Sequence, residues 1–415
     1  MYKSKVQMRR FIAFLIFISI FACKKESDNK VISLEDDVAY LADDALKGRA
    51  TGTDGERAAA DYIAKRLKEM RIGAKGTSGY FQDFNFTPKT HPHDSIKFNT
   101  NNDGSITGRN VIGFINNEAA NTVIIGAHYD HLGLGGDGSL YRDSIAAIHN
   151  GADDNASGVA VLLNLAKKLK EGNTNNNYLF IAFSGEEMGL IGSNYFTKNP
   201  TVDLKKVNYM INMDMVGRLK ADSTLAVYGT GTSPMFKQTL KANNEQFKLV
   251  QKESGVGPSD HTSFYNSDIP VLHFFTGQHE DYHKPSDDAE KLNYSGMQTI
   301  SNYIFALISD LDDNNKLAFR KTKNESESVP RFKVGLGVIP DYLFDGVGMR
   351  IDGVSEDKPA QKAGLQKGDI VIQIGDLEIK NMMDYMKALS AFEKGNTTKV
   401  VVDRNNKEIE AEVTF

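Results

Sequence analysis

Apolar and polar positions along this chain switch between two periods, and the switches mark out its elements. Ala59, Ile63, Leu67 and Met70 recur at helical spacing behind Thr53-Asp54-Gly55-Glu56, a capping-box signature, which predicts a helix starting there. Asn110 to Ile115 and Thr122 to Gly126 then read as strands, the second a continuous apolar run of the kind covered on both faces. Val159, Leu162, Ala166 and Leu169 predict a helix, Tyr178 to Phe183 and Val207 to Met213 predict buried strands, and Pro270 to Phe275 a further one. Met297, Ile300, Ile304, Leu307 and Leu311 make a long closing helix. Strands alternating with helices predict an α/β layered domain with a largely parallel sheet.

The pattern breaks at both ends of this domain. Asn314 to Val329 lacks periodicity and is rich in Lys, Asn, Ser and Glu, so 314–329 reads as a linker. Short strand signals return after it, predicting a smaller β-rich domain over 330–415. At the front, residues 1–22 carry Lys3, Lys5, Arg9 and Arg10 with no acid, then an apolar run from Phe11 to Ala22. That run is too short to span a hydrocarbon layer of roughly 30 Å as a helix, but it suits the apolar region of a signal peptide. It ends Ile20-Phe21-Ala22-Cys23, which resembles a bacterial lipoprotein cleavage site. The resemblance implies removal of 1–22, a lipid on Cys23, a polar tether over 23–33, and a place on the outer membrane of a bacterial envelope.

Composition narrows the chemistry. The 415 residues include one Cys, which excludes an intramolecular disulfide and a Cys-rich zinc site. A formal net charge of -5 argues against a nucleic-acid binder that relies on a basic surface. Any metal must therefore be held by His, Asp and Glu.

Those residue types gather just beyond the predicted strands. His128 and Asp130 follow the strand ending at Gly126, Glu186 and Glu187 the strand ending at Phe183, and Asp214 directly follows Met213. His283 lies in the loop after the strand ending at Phe275, and Gly151-Ala152-Asp153-Asp154-Asn155-Ala156-Ser157-Gly158 precedes the next helix. The carboxyl ends of strands line the ligand crevice of open α/β sheets, so groups scattered in sequence can converge there.

Ala127-His128-Tyr129-Asp130, the Gly151 to Gly158 segment, Ser184-Gly185-Glu186-Glu187, Asn212-Met213-Asp214 and Tyr282-His283-Lys284-Pro285-Ser286-Asp287-Asp288 occur in the order seen in co-catalytic dizinc aminopeptidases. Residues 34–313 resemble that family, which includes aminopeptidase Y and the peptidase domain of glutamate carboxypeptidase. The resemblance implies a three-layer α/β/α sandwich around a mostly parallel, mixed sheet, and two zinc ions, although His and carboxylate donors also accept Mn or Co. It gives one metal to His128 and Asp214, the other to Glu187 and His283, with Asp154 bridging and a cis peptide after it. Two ions sharing a water would generate a hydroxide nucleophile. Glu186 would be the general base and Asp130 would hydrogen-bond the His128 imidazole to fix its tautomer. Tyr282 matches a tyrosine that stabilises the oxyanion in some relatives. Asp153 is expected to orient the loop or cap the helix. His131, His149, His273 and His279 receive no metal role, and His91 and His93 lie in a polar stretch. Ser259-Asp260-His261 looks triad-like, but no Gly-x-Ser-x-Gly elbow accompanies it, and it reads as a pocket-lining loop.

From Pro330 to Phe415 the chain resembles a PDZ domain. Gly335-Leu336-Gly337-Val338 matches its carboxylate-binding loop, and Lys358-Pro359-Ala360, Ala363-Gly364-Leu365 and Lys367-Gly368-Asp369 match later landmarks. Backbone groups at Leu336, Gly337 and Val338 would hold the carboxylate of a peptide or protein C-terminus, with Met382, Met386 and Leu389 facing the groove. The expected activity is removal of amino-terminal residues from peptides with a free N-terminus. A glutaminyl cyclase, a carboxypeptidase or dipeptidase, and an inactive PDZ scaffold are the alternatives.

Overall fold

Residues 32–88, 97–98, 104–136, 138–141, 143, 145–172, 174–313, 315–323, 333–341, 343–344, 346–355 and 357–415 are described by a computed structural model. The signal segment, Cys23, His91 and His93 lie outside the described residues. Among the described residues no helix is long and apolar enough to cross a membrane.

The first domain is built on strands β1 (Gly73–Ala74), β2 (Phe81–Thr87), β3 (Lys97–Phe98), β4 (Ile106–Ile115), β5 (Thr122–His128), β6 (Asn177–Phe183), β7 (Val207–Met213), β8 (Thr224–Tyr228), β9 (Lys248–Gln251) and β10 (Val271–Phe275). They form one sheet in the order β3-β2-β4-β6-β5-β7-β10-β8-β9, with β1 beside β4. The middle strands β6, β5, β7 and β10 are parallel, so their carboxyl ends share one edge. The flanks join antiparallel, β4 to β6 on one side and β8 to β10 on the other. The sheet is thus mixed, with a parallel centre and a further parallel pair, β8 and β9, at one edge.

Alternation along the strands creates a core on each face. Val111, Val123 and Ile125 pack with helices α1 (Leu34–Leu41), α2 (Asp54–Glu69), α3 (Gly158–Glu171) and α7 (Tyr294–Asp312). Ile112, Ile124, Leu179 and Ile181 point the other way and meet Phe196 of α4 (Ile191–Lys198) and Phe264 of α6 (His261–Tyr265). Helix α5 (Phe236–Ala242) adds Phe236 and Leu240 to the first core. Two apolar layers on one sheet are what a three-layer sandwich requires.

Helix α2 starts where the sequence places it, with the Thr53 hydroxyl accepting the Glu56 N–H at 3.3 Å. The reciprocal half of the capping box is displaced by one residue. Glu56 accepts from the Gly52 N–H at 2.6 Å and turns inward to the hydroxyls of Ser184 and Tyr129. Burial makes the carboxylate more useful against those donors than against the helix end.

Residues 315–323, read above as the start of a linker, lie along the first domain. The Leu317 N–H donates to Asn208 Oδ1 at 2.7 Å, Phe319 packs on Tyr265, and the Gly255 N–H donates to the Thr322 hydroxyl at 3.0 Å. The second domain has strands β11 (Val338–Pro340), β12 (Met349–Val354), β13 (Ile370–Ile374), β14 (Leu377–Glu378), β15 (Thr397–Asp403) and β16 (Glu408–Thr414), with helices α8 (Pro359–Lys362) and α9 (Met382–Leu389). Its sheet runs β11-β12-β13-β15-β16, and Leu336, Ile351, Leu365, Val371, Leu389 and Val402 fill its core. Leu343 leaves that core to pack with Ala226 and Val250 of the first domain, and Ser33 to Phe415 form one compact unit.

Candidate metal centre

Register brings the sequence-predicted residues to one edge of the sheet. His128 ends β5 opposite Phe183, the last residue of β6, and Asn212 of β7 lies between Gly126 and His273. Asp214 and the Glu186-Glu187 pair therefore emerge beside His128. The bridging loop needs Gly151 at φ +54, because a Cβ there would stand 2.1 Å from the Asp154 carbonyl oxygen and 2.5 Å from the His131 ring. The peptide from Asp154 to Asn155 is cis.

The donors fall into two sets that share Asp154. His128 Nε2 lies 3.3 Å from Asp154 Oδ1 and 3.3 Å from Asp214 Oδ1. His283 Nε2 lies 3.2 Å from Asp154 Oδ2 and 3.3 Å from Glu187 Oε2. Donors held roughly 2.0–2.1 Å from a tetrahedral zinc ion stand about 3.3 Å apart, so both sets have the spacing and chemistry of a zinc site. Among the described residues the Glu186 carboxylate joins neither set.

Charge balance points the same way. Burial opposes protonation of His128, yet the facing Asp214 and Glu186 carboxylates hold its pKa well above the usual imidazole value. Burial disfavours protonated His283 too, but Asp154 and Glu187 push its pKa up to about 11. Burial, reinforced by Asp214 and Glu187, pushes Glu186 well above the ordinary carboxylate range against the pull of His128. The cluster has a surplus of buried acid that cations satisfy.

The Asp130 expectation needs correction. Its carboxylate stands 3.7 Å from His128 Nδ1, beyond a hydrogen bond, and the ring nitrogen instead meets the Asp130 carbonyl at 3.2 Å. The carboxylate accepts from the Glu186 N–H at 3.1 Å and from the Thr51 hydroxyl at 3.0 Å. Asp130 thus orients His128 through its backbone and the Glu186 loop through its side chain. Asp153 orients the loop as expected, accepting from the Gly217 N–H at 2.6 Å and the Ser157 hydroxyl at 3.0 Å.

Three residues were missed. His131, given no metal role above, is buried with Nδ1 2.7 Å from Glu187 Oε1 and 3.9 Å from Asp154 Oδ2, so it belongs to the cluster. Asp287 accepts from the N–H groups of Asp153 and Asp154 at 2.9 and 3.1 Å. Arg49 is fully buried and donates to the carbonyls of Tyr129, Leu41, Asn150 and Gly151. The adjacency of His131 to Asp130 and the place of Asp287 inside the Tyr282 to Asp288 motif were signals; Arg49 had none. Tyr282 lines the cleft and stacks on His283 with ring centroids 3.8 Å apart. Ser259 also lines it, accepting from Asn212 Nδ2 at 2.8 Å, while His261 stacks on His273, so no triad forms.

Residues 110–308 match the model of Peptidase family M28, and residues 317–415 that of the PDZ domain. The first domain belongs to peptidase family M28. A "Probable leucine aminopeptidase" of Trichophyton verrucosum (strain HKI 0517) is 32% identical over 177 residues, covering 39% of this chain and 44% of that protein. Aminopeptidase YwaD of Bacillus subtilis (strain 168) is 28% identical over 216 residues, covering 49% of this chain and 44% of its own. The chain thus spans less than half the length of these two relatives. BSAP, a zinc aminopeptidase from Bacillus subtilis, has the same fold with a TM-score of 0.53 at 18% identity, over 70% of this chain and 98% of that one. So does the Porphyromonas gingivalis glutaminyl cyclase, with a TM-score of 0.53 at 20% identity, over 67% of this chain and 97% of its own. The M28 fold alone therefore does not choose between these chemistries.

Proposed function

We propose that this M28 protein is a dizinc aminopeptidase that removes the amino-terminal residue from peptides. The observation that carries the reading is that the two oxygens of Asp154 each face a separate donor set while Glu186 stays outside both. His128 and Asp214 would hold one ion, Glu187 and His283 the other, with Mn or Co as further candidates for the same donors. When bound, such a pair polarises the scissile carbonyl and acidifies water. Glu186, which lines the cleft, takes the proton of the attacking water and returns it to the departing amine nitrogen. Tyr282, in the same cleft, donates to the oxygen that gains charge. The acidic wall of Asp154, Glu186, Glu187 and Asp214 favours a substrate carrying a free α-ammonium.

The test pairs metal analysis with a panel of aminoacyl amides, N-acetylated peptides and glutaminyl peptides, using wild type and Glu186→Ala. Two metals per chain, cleavage that requires a free amine, and loss of turnover in the variant are expected. Cyclisation of the glutaminyl peptides without hydrolysis would instead establish a cyclase.

The PDZ domain supports a second part of the reading, binding of peptide or protein C-termini at Leu336, Gly337 and Val338. The amino-terminal sequence supports a third, lipidation at Cys23 that anchors the protein to the outer membrane of a bacterial envelope. Incorporation of labelled palmitate that Cys23→Ala abolishes is the expected result.

A further inference from the structure

The cleft that holds the carboxylates is walled by both domains. A cavity of about 680 Å³ has Asp154, Glu186, Glu187 and Asp214 on one side, and Phe344, Met349, Met382, Met383 and Met386 on the other. The second group comes from the segment after β11, the start of β12 and the first five residues of α9. The two walls are fixed to each other. Leu343 sits among Ala226, Val250, Tyr228 and Phe275, and Lys220 Nζ lies 3.7 Å from Asp352 Oδ2.

The carboxylate loop, Gly335 to Val338, lies outside the lining of this cavity and leads into β11. The Leu336 carbonyl accepts from the Ala360 N–H and the Gly337 carbonyl from the Ser355 N–H, so both turn into the domain. Among the described residues no backbone carbonyl takes up the N–H of Leu336 or Gly337. Gly337 has φ +74, and a Cβ there would meet Lys358 Cβ at 2.1 Å, which places a lysine side chain against the loop. Successive N–H groups without a backbone acceptor suit an anion, and the aliphatic stem of a lysine runs beside them.

Strand β11 connects the loop to the cavity. It is an edge strand that pairs, among the described residues, only with β12, so its other side is open to an added strand. A peptide whose carboxylate occupies the loop must run backwards along β11, from Val338 towards Pro340. Pro340 has no N–H to offer, so pairing ends there, and the next residue, Asp341, already lines the cavity. The amino end of the added strand is thereby directed at the acidic wall, and the charges match: carboxylate to glycine loop, ammonium to carboxylates.

We infer that one peptide occupies both sites at once, its carboxyl end in the PDZ groove and its amino end at the carboxylate cluster, so that the protein selects short peptides of one length class. This rests on the aminopeptidase reading above. A peptide too short cannot reach both ends, and one too long must buckle between them.

The test uses the full, zinc-loaded protein and a ladder from dipeptide to decapeptide, each with the same amino-terminal residue, as free acid and as C-terminal amide. The expected result is a maximum of kcat/KM at one intermediate length for the free acids, with at least a tenfold loss on amidation at that length, carried by KM. Titration calorimetry with Glu186→Gln should show the same preference as tighter binding of the free acid. A flat ladder without an amide penalty, while aminoacyl amides are still cleaved, would overturn the inference and leave the aminopeptidase; a groove reserved for a separate protein partner gives that result. Failure to cleave even aminoacyl amides would remove the aminopeptidase reading and this inference with it.

Discussion

Arg49 Nη2 stands 3.4 Å from the carbonyl oxygen of Asp154, the residue on which both donor sets meet. The same Nη2 donates to the Gly151 carbonyl at 2.7 Å, Nε to that of Tyr129 at 2.6 Å, and Nη1 to those of Leu41 and Asn150. Desolvation lowers its pKa to about 10 against the attraction of Asp154, Asp130 and Asp287, so it stays charged at neutral pH. Arg49→Met leaves several buried carbonyls unpaired, at about 3 kcal/mol or more in total. The expected result is a drop in Tm of roughly 6 °C or more, with reduced metal retention on dialysis. Arg49→Lys keeps a charge but not the planar fork, and should recover only part of both losses.

Asp154 serves both donor sets, so its loss should be felt at both. Asp154→Asn is expected to retain less than one metal per chain by elemental analysis, whereas Asp214→Asn should lose chiefly one. Chelation of the wild type should lower Tm, because ions bound only by the folded chain stabilise it, and readdition of zinc should restore it. A chelated protein with unchanged Tm would count against a buried cation site here.

Tyr282 separates orientation from chemistry. Tyr282→Phe keeps the ring stacked on His283 and removes only the hydroxyl. If that hydroxyl stabilises the oxyanion, kcat falls roughly 100-fold while KM and metal content hold. Unchanged kcat would leave the tyrosine as a wall of the cleft.

Glu56 offers a pH test away from the reaction. Burial raises its pKa from the ordinary 4.5 to about 7, against hydrogen bonds from Ser184, Gly52 and Tyr129. The folded state therefore binds this proton more tightly than the unfolded chain, and the associated stability is full below pH 4.5 and lost as pH rises through 7. Glu56→Gln mimics the protonated form. Its Tm relative to wild type should rise steadily between those two pH values and then level off, as followed by calorimetry.

The central strands and the residues just beyond them were legible because β5, β6, β7 and β10 are mostly apolar runs followed by His, Asp and Glu. Helix positions 59, 63, 67 and 70 were legible from periodicity alone. Strand β2 was not: Gln82 is buried among its inward residues, held by the Asn199 carbonyl at 2.7 Å, and breaks the apolar alternation. The described part of the linker was hidden because Leu317 and Phe319 are isolated apolar residues in a polar stretch, and only a surface elsewhere in the chain gives them a partner. Met382 and Met386 were legible as groove residues from their i, i+4 spacing, but Arg49 was not. Its role comes from carbonyls supplied by distant segments, which no local spacing encodes.

The donor set runs from residue 128 to residue 283 and is drawn from the ends of four strands, with Arg49 reaching back from the opening helices to hold the loop in the middle. No shorter stretch of the chain contains the centre. A chain that stops short of residue 283 consequently lacks His283, and the second donor set around Asp154 closes only once the last of these segments has been made.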